Sequence, residues 1–374
     1  MPYDDFVRLQ LAADLIAPKE QSQYVALGFV GLGPKYYRRN DPEVMADEWE
    51  NHVDTLSRGL LGLTVACARC HDHKYDPIPT TDYYSLAGVF ASISMFNRPI
   101  NDKKEKNKNG EAKNPVDAVH IVKEAKPTDL NVQIRGDVKN KGEIVQRGFP
   151  QILSAGLHAK FNEGSGRREL AEQIVRRDNP LTARVIVNRV WGLLFGKPIV
   201  RTPSNFGTLG KPPTHPKLLD DLSVRFIENG WSIKWLCREI ILSSTWQQRS
   251  DLKEAGQSAD PSNRLLWRMN RRRLDVESWR DSILFSAGRL NRTVGGKSID
   301  PTDPKETRRT VYSKVSRLDL NPMLAMFDFP DPNFHAGTRI ETTTPLQKMF
   351  VLNSPFMVAQ VDALAERCLA AADE

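Results

Sequence analysis

Residues 42–71 read PEVMADEWENHVDTLSRGLLGLTVACARCH, and this stretch decides the fold class. Its apolar and sulfur-containing side chains recur every three or four residues, at Val53, Leu56, Leu60, Leu63, Cys67 and Cys70. Positions at this spacing share one face of an α-helix. The pattern therefore predicts a single helix over the whole stretch, with both thiols on its buried face near the end.

Helical patterns also dominate the rest of the chain. A further helix is expected from Asp82 to about Phe96, and helices follow one another from Arg167 onward. Capping residues mark several of their ends, because small polar side chains satisfy the first backbone amides and glycine adopts the left-handed conformation after the last turn. These residues are Gly196 at a helix end, and Ser232 and Asp275 at helix starts. The closing helix is expected to start near Thr344-Pro345.

Short β-like alternation occurs at residues 119–123 and 130–135, which is typical of a hairpin or small sheet, and again at 309–316. The predicted fold class is mainly α with minor β: a helical N-terminal partial domain, a small β-element and a larger helical C-terminal domain. The expected divisions are residues 1–100, a polar linker at 101–115, the β-element with a loop at 116–166, and the C-terminal domain at 167–374.

Composition excludes some classes of protein. The chain has 374 residues and a formal net charge of +7, but its basic residues are scattered among acidic ones, so no nucleic-acid partner is expected. No apolar run approaches the roughly 20 residues that span a bilayer, so no transmembrane segment is expected. No export signal is visible at the start of the sequence.

The segment Cys67-Ala68-Arg69-Cys70-His71 has the spacing that attaches haem covalently to a protein. Two thiols can form thioethers with the haem vinyl groups, and the adjacent imidazole then becomes the proximal iron ligand. We therefore expect haem c at Cys67, Cys70 and His71, with an electron-transfer role. The candidate sixth ligands are Met95, His73 and His52, because methionine and histidine usually fill that position.

Other interpretations of the same residues stay open. Cys67, Cys70, His71 and His73 could hold zinc, since all four are zinc ligands. A disulfide between Cys67 and Cys70 would instead make the segment a structural brace in an interaction protein without a cofactor. A metal-dependent enzyme that uses His71, His73, Asp72 and Asp76 is a further alternative, but no motif elsewhere identifies catalytic residues.

Longer stretches resemble a known pair of domains. Residues 62–78, GLTVACARCHDHKYDPI, look like the signature of the planctomycete cytochrome-associated domain PSCyt (second type). Residues 179–191, 202–207, 267–274 and 327–333 are similar to its companion, the PSD (first type) domain. Both domains are of unknown function, and the resemblance covers nearly the whole chain.

This resemblance implies a periplasmic or cell-surface protein, because members are typically exported and often carry a separate cytochrome c-like domain. It also implies a fragment that starts about halfway through the first domain, near Pro2-Tyr3-Asp4. A redox partner or another cell-surface protein is the expected partner.

Overall fold

The computed structural model describes residues 1–17, 20–33, 41–99, 118–154 and 159–372. Over these ranges the protein is mainly α-helical with minor β structure, which confirms the predicted fold class. The predicted polar linker at residues 101–115 lies outside the described residues. None of the described helices is both long and apolar enough to cross a membrane.

The described residues form two compact units, Met1–Asn270 and Arg271–Glu374. The domain boundaries expected from the sequence stay a prediction. The helices of the first unit are α1 Tyr3–Ile16, α2 Gly28–Gly31, α3 Pro42–Leu56, α4 Thr80–Ala91, α5 Arg167–Val175, α6 Thr182–Phe195, α7 Pro216–Glu228, α8 Ile233–Ile241 and α9 Glu254–Ala259.

The strands of the first unit form three small antiparallel pairs. These pairs are β1 Ile93–Pro99 with β2 Ala118–Glu124, β3 Leu130–Gln133 with β4 Lys141–Val145, and β5 Gly148–Phe149 with β6 Ala159–Lys160. The two β-like stretches of the sequence, 119–123 and 130–135, therefore belong to different pairs and do not form a hairpin together.

Two hydrophobic clusters build the core of the first unit. One collects buried side chains from α1, α3, α4, α5 and the strands, and the other collects those of α6, α7 and α8. Aromatic rings organise the second cluster: Trp191 stacks on Phe195 with ring centroids 4.2 Å apart, and Phe226 meets Trp231 edge to face at 5.5 Å. Both arrangements are favoured by the quadrupoles of the rings.

A buried arginine joins distant parts of this unit. The Arg167 guanidinium, at the start of α5, lies 2.8 Å from Asp14 of α1 and 2.6 Å from Glu124 of β2, and it also donates to the Leu11 carbonyl. Its side chain is only 1% exposed. Removal of either carboxylate would leave this buried charge without one of its counter-charges, which is costly.

The predicted single helix over residues 42–71 is wrong. The helix α3 ends at Leu56 and is followed by a π turn, Ser57–Leu61, after which Gly62 adopts a left-handed conformation with φ of +63°. A π turn holds more residues than an α turn, so the side chains after it leave the predicted face. Chain direction then changes at Gly62, which ends the helical segment.

The helix predicted from Asp82 to about Phe96 is shorter than expected. It runs from Thr80 to Ala91, and the following residues form β1. The side chain of Ser92, at the junction, donates to the Gly88 carbonyl and accepts from the Thr128 amide at 2.8 Å each. These bonds turn the chain out of the helix and towards the strands.

The second unit contains α10 Val276–Ser286, α11 Pro322–Met326, α12 Pro345–Asn353 and α13 Pro355–Ala372. Its core cluster is formed by Val276, Met323, Leu324 and Phe327. The strand predicted at 309–316 is instead a short 3-10 turn, Thr310–Tyr312. Thr310 donates from both its amide and its hydroxyl to Asp281 on α10, so this segment is fixed to a helix.

The predicted helix caps are confirmed. Gly196 follows α6 with φ of +77°, and the side chains of Ser232 and Asp275 accept hydrogen bonds from amides in the first turns of α8 and α10. Thr344 forms a reciprocal capping box with Gln347 at the start of α12. Such caps depend on residues within one turn, which explains why the sequence reveals them.

Candidate functional site: the cysteine loop

The Cys-x-x-Cys-His segment lies in a loop between the π turn and α4. We call residues 62–79 the cysteine loop. It contains a 3-10 turn, Val65–Arg69, and Cys70 follows directly. In a 3-10 turn residues three apart point the same way, so Cys67 and Cys70 share a side of the turn.

Both thiols are free and exposed, so the prediction that they face the core is wrong. The cause is the helix break at Gly62: Leu63 and Val65 take the buried positions instead, and the next turn presents the cysteines to solvent. The disulfide of the structural alternative is not formed. The Cys70 sulfur rests against Gly136, where an added Cβ would lie 2.6 Å away and where φ is +76°.

His71 is exposed, and one of its ring nitrogens is occupied. Its Nδ1 lies 2.6 Å from the Asp72 carbonyl oxygen, which can only accept, so Nδ1 carries the proton. The Nε2 atom makes no hydrogen bond to a described residue. A histidine that donates Nδ1–H to a carbonyl presents a lone pair on Nε2, which is the usual pose of a metal-ligating imidazole.

The Asp72 carboxylate fixes the loop to α4. It accepts hydrogen bonds from the Thr80 amide at 2.8 Å and the Thr80 hydroxyl at 3.0 Å. The backbone bond, the side-chain bond and the nearby His71 imidazole lower the pKa of Asp72 below its usual value. The ionised form of Asp72 is therefore favoured, and its bonds to Thr80 hold this part of the loop against the start of α4.

His73 has a structural role in the same loop. Its Nε2 lies 3.0 Å from the Thr64 hydroxyl, and its Nδ1 accepts from the amides of Asp76 at 2.9 Å and Tyr75 at 3.3 Å. The side chain is 6% exposed. Because amides only donate, the proton of this ring lies on Nε2. While these bonds hold, neither ring nitrogen of His73 is available to a metal.

Arg69 and Tyr84 hold the 3-10 turn from two sides. Arg69 is paired with Asp47, at 2.8 Å, and with Glu50, both on α3. Partial burial of the guanidinium opposes its charge, but the hydrogen bonds to Asp47 and Glu50 prevail and raise the pKa of Arg69. Tyr84, on α4, donates to the Arg69 carbonyl at 3.0 Å, and burial raises the pKa of Tyr84 to about 12.

A segment more than one hundred residues downstream also contacts the cysteine loop. The Phe206 amide donates to the Gly62 carbonyl at 2.7 Å, and the Thr208 amide donates to Asp76 Oδ1 at 2.6 Å. The Thr208 hydroxyl donates to the Tyr75 carbonyl at 3.2 Å. We call residues 205–208 the clasp. It binds the cysteine loop at both ends, before the first cysteine and after the histidine.

Comparison with known families finds two matched segments along the chain. The PSD1 family, described as a protein of unknown function (DUF1553), matches residues 166–374, more than half of the sequence. The chain belongs to the PSD1 family. A second match, to PSCyt2, a protein of unknown function (DUF1549), covers residues 1–95. These matches confirm the two resemblances predicted from the sequence. No curated protein and no solved structure matches the chain.

The cysteine loop lies in the part that matches PSCyt2, whereas the clasp lies in the part that matches PSD1. The candidate site is therefore built from both matched segments. Sequence analysis did not identify the clasp residues as part of the site, although 202–207 contributed to the family resemblance. No local pattern indicates a contact between residues 132 positions apart, the separation of Asp76 and Thr208.

The remaining candidate ligands lie on other elements. His52 is buried on α3, and its ring centroid is 5.2 Å from that of Phe90. Met95 lies just after α4, in β1 opposite Val122, and packs against the first core cluster. Within the part of the chain that the structure describes, no three His, Cys, Asp or Glu side chains assemble into a metal-binding group.

Proposed function

We propose that the cysteine loop is the attachment site of a c-type haem, and that the protein is a haem-bearing or haem-associated protein with an electron-transfer role. The pose of His71 carries this proposal. Its Nδ1 donates to a backbone carbonyl while Nε2 is left without a hydrogen bond to a described residue, beside two free and exposed thiols.

The residues present fit such a group chemically. Thioether formation needs two reduced cysteines near the surface, and Cys67 and Cys70 are both free and exposed residues. Axial ligation needs a neutral imidazole with an accessible nitrogen and an oriented ring, and the bond from His71 to the Asp72 carbonyl supplies that orientation. A bound haem would supply one-electron chemistry at its iron.

The surrounding residues have a positioning role in this proposal. Asp72 holds its part of the loop against the start of α4, Arg69 anchors the 3-10 turn to α3, and the clasp holds the two ends of the loop. His73 is already bonded through both ring nitrogens, which favours Met95, His52 or a ligand from outside the described residues as the sixth ligand.

The alternative interpretations have less support. Zinc would need at least a third ligand beside the two thiols. Among the described residues, no three His, Cys, Asp or Glu side chains lie close enough together to hold a metal ion. A bracing disulfide would need Cys67 and Cys70 to be oxidised, whereas both are free. We further propose a periplasmic or cell-surface location, because haem is joined to this motif outside the cytoplasm, with a redox protein or cell-surface protein as partner.

The test is to produce the full chain in a host that has haem-attachment machinery and to record a pyridine haemochrome spectrum of the denatured protein. We expect covalent haem in the wild type, loss of it in Cys67→Ser and Cys70→Ser, and full retention in Cys368→Ser, which removes another exposed free thiol. His71→Ala should keep the covalent attachment and change the visible spectrum of the folded protein. A wild-type protein without covalent haem would overturn the proposal.

A further inference from the structure

An open pocket of about 490 Å³ lies in the second unit, between α10 and α12. Its wall is aromatic: Trp279 and Phe327 stack with ring centroids 4.7 Å apart. Val351 and Leu352 of α12 line the opposite part with aliphatic surface. Pockets of this size with mainly apolar walls and a few fixed polar groups are typical of small-molecule sites.

The charged groups of the pocket are both cationic, and Thr343 and Gln347 are its neutral polar groups. Arg273 and Lys348 both line it, and no acidic residue does so among the described residues. Neither cation forms an ion pair with a described carboxylate. The pocket therefore offers uncompensated positive charge next to an aromatic surface, which complements an anion that carries an apolar body.

The guanidinium is held in place by a buried amide. Arg273 Nη1 donates to Gln347 Oε1 at 3.1 Å and to the Thr342 carbonyl. Gln347 is itself buried, and its Nε2 donates to the Met326 carbonyl at 2.8 Å. The Thr342 amide and hydroxyl donate to the Asp328 carboxylate at 2.8 and 2.7 Å.

This network restrains the exposed Arg273 guanidinium, through Nη1, before any ligand arrives. Nη1 makes both of its hydrogen bonds to the protein, which leaves Nη2 and Nε for a ligand. A guanidinium that is already held in place loses little conformational entropy when it binds a carboxylate. The free energy of binding is therefore more favourable than for a mobile side chain.

We propose that this pocket binds a small amphipathic anion, an aromatic carboxylate whose ring lies against Trp279 and Phe327 and whose carboxylate is bound by Arg273 and Lys348. The aromatic wall accounts for the apolar body, and the two cations account for the charge. The proposal does not depend on haem attachment at the cysteine loop.

Calorimetric titration of the full chain with 2-naphthoate tests this proposal, with 2-naphthamide as the neutral analogue of the same shape. We expect saturable binding of one naphthoate per chain and at least 10-fold weaker binding of the amide, because the neutral amide cannot form charge-assisted hydrogen bonds to the two cations. Arg273→Gln should weaken naphthoate binding at least 10-fold, whereas Arg271→Gln, two positions earlier, should leave it unchanged.

Two further variants keep the test informative if Arg273→Gln does not fold. Lys348→Gln and Leu352→Glu alter exposed positions on α12 and should preserve the fold. The first should weaken naphthoate binding several-fold, and the second should abolish it by placing a negative charge in the pocket. Absence of saturable binding, equal affinity for the amide, or an equal effect of Arg271→Gln would overturn the proposal.

Discussion

Replacement of Gly207 by alanine tests the contact between the clasp and the cysteine loop. A Cβ at this position would lie 2.3 Å from Asp76 Oδ2 and 2.7 Å from its Oδ1 and Cγ. Such distances are not tolerated, so the carboxylate would have to move. It is buried and already bonded to the Thr208 amide at 2.6 Å, which prevents a simple rotation away from the new methyl group.

The expected cost has two parts. Loss of the hydrogen bond between the Thr208 amide and the Asp76 carboxylate costs about 1.5 to 3 kcal/mol, because an ionised acceptor is involved. Forcing a methyl group into a filled space costs about 1 to 3 kcal/mol more. Gly207→Ala should therefore lower the free energy of unfolding by roughly 2.5 to 6 kcal/mol.

Gly59→Ala is the matched control. Gly59 lies in the π turn, and an added Cβ there meets nothing within 4 Å. Alanine in an unstrained helical position should stabilise the protein by about 0.5 to 1 kcal/mol, because glycine loses more backbone entropy on folding.

The assay is urea unfolding of the haem-free chain, followed by circular dichroism, together with amide hydrogen exchange at Thr208. The Thr208 amide should be protected in the wild type and in Gly59→Ala, and should exchange faster in Gly207→Ala. If Gly207→Ala were as stable as the wild type, with an equally protected Thr208 amide, the conclusion that the clasp locks Asp76 would be refuted.

Three further predictions concern other parts of the molecule. His73→Ala should lower the free energy of unfolding by about 1 to 3 kcal/mol, because three hydrogen-bonding groups lose their partner. His71→Ala should change the free energy of unfolding by less than about 0.5 kcal/mol. Equal midpoints of urea unfolding for the two variants would contradict this difference. Burial opposes ionisation of Glu124, but hydrogen bonds from Ser165 and Arg167 prevail and lower its pKa. The ionised Glu124 therefore stabilises the fold fully above pH 4.5, its ordinary pKa, and this stabilisation is lost as the pH falls through the lowered pKa. Glu124→Gln should lose less thermal stability than the wild type on acidification. If the melting temperature fell equally steeply with pH in both proteins, this dependence on Glu124 would be disproved. Arg280→Met should destabilise the second unit by about 3 kcal/mol or more, because this fully buried guanidinium donates to three carbonyls and a hydroxyl. Arg249→Met, at an exposed position, should change stability little. Equal melting temperatures of the two variants would contradict this prediction.

The parts of the fold that depend on adjacent residues could be predicted. Ser232, Asp275 and Thr344 cap helices because their side chains reach amides only two or three positions away. Gly196 ends α6 because a residue without Cβ adopts the left-handed conformation without strain. The fold class follows from many such local preferences taken together.

The exposure of the cysteines could not be predicted from periodicity. The spacing of Leu56, Leu60 and Cys67 fits one helix, and only the glycines at 59 and 62 hinted at the break between them. The spacing of apolar residues predicts a helix even where the pattern contains an isolated glycine, because one glycine is tolerated within a helix. Consequently, periodicity alone predicts the wrong direction for the two thiols.

Contacts between segments far apart in the sequence could not be predicted either, for another reason. The bonds from the clasp to Gly62 and Asp76 join segments that have no shared pattern, and the hydrogen bond of His71 is made to a backbone carbonyl. Such contacts depend on how the whole first unit packs. The sequence therefore suggests candidate residues for a site but does not indicate which residues position them.

The buried guanidinium of Arg167 has a consequence for how the chain can be divided. The PSD1 match begins at residue 166, one position before this arginine, yet its two carboxylate partners, Asp14 and Glu124, both precede that boundary. A polypeptide starting at residue 166 would keep the cation and lose both counter-charges, together with the core cluster around α1 and α4. The boundary of the family match therefore lies inside one folding unit. If recombination replaced one matched segment by a foreign one, the new segment would have to supply counter-charges for Arg167 again.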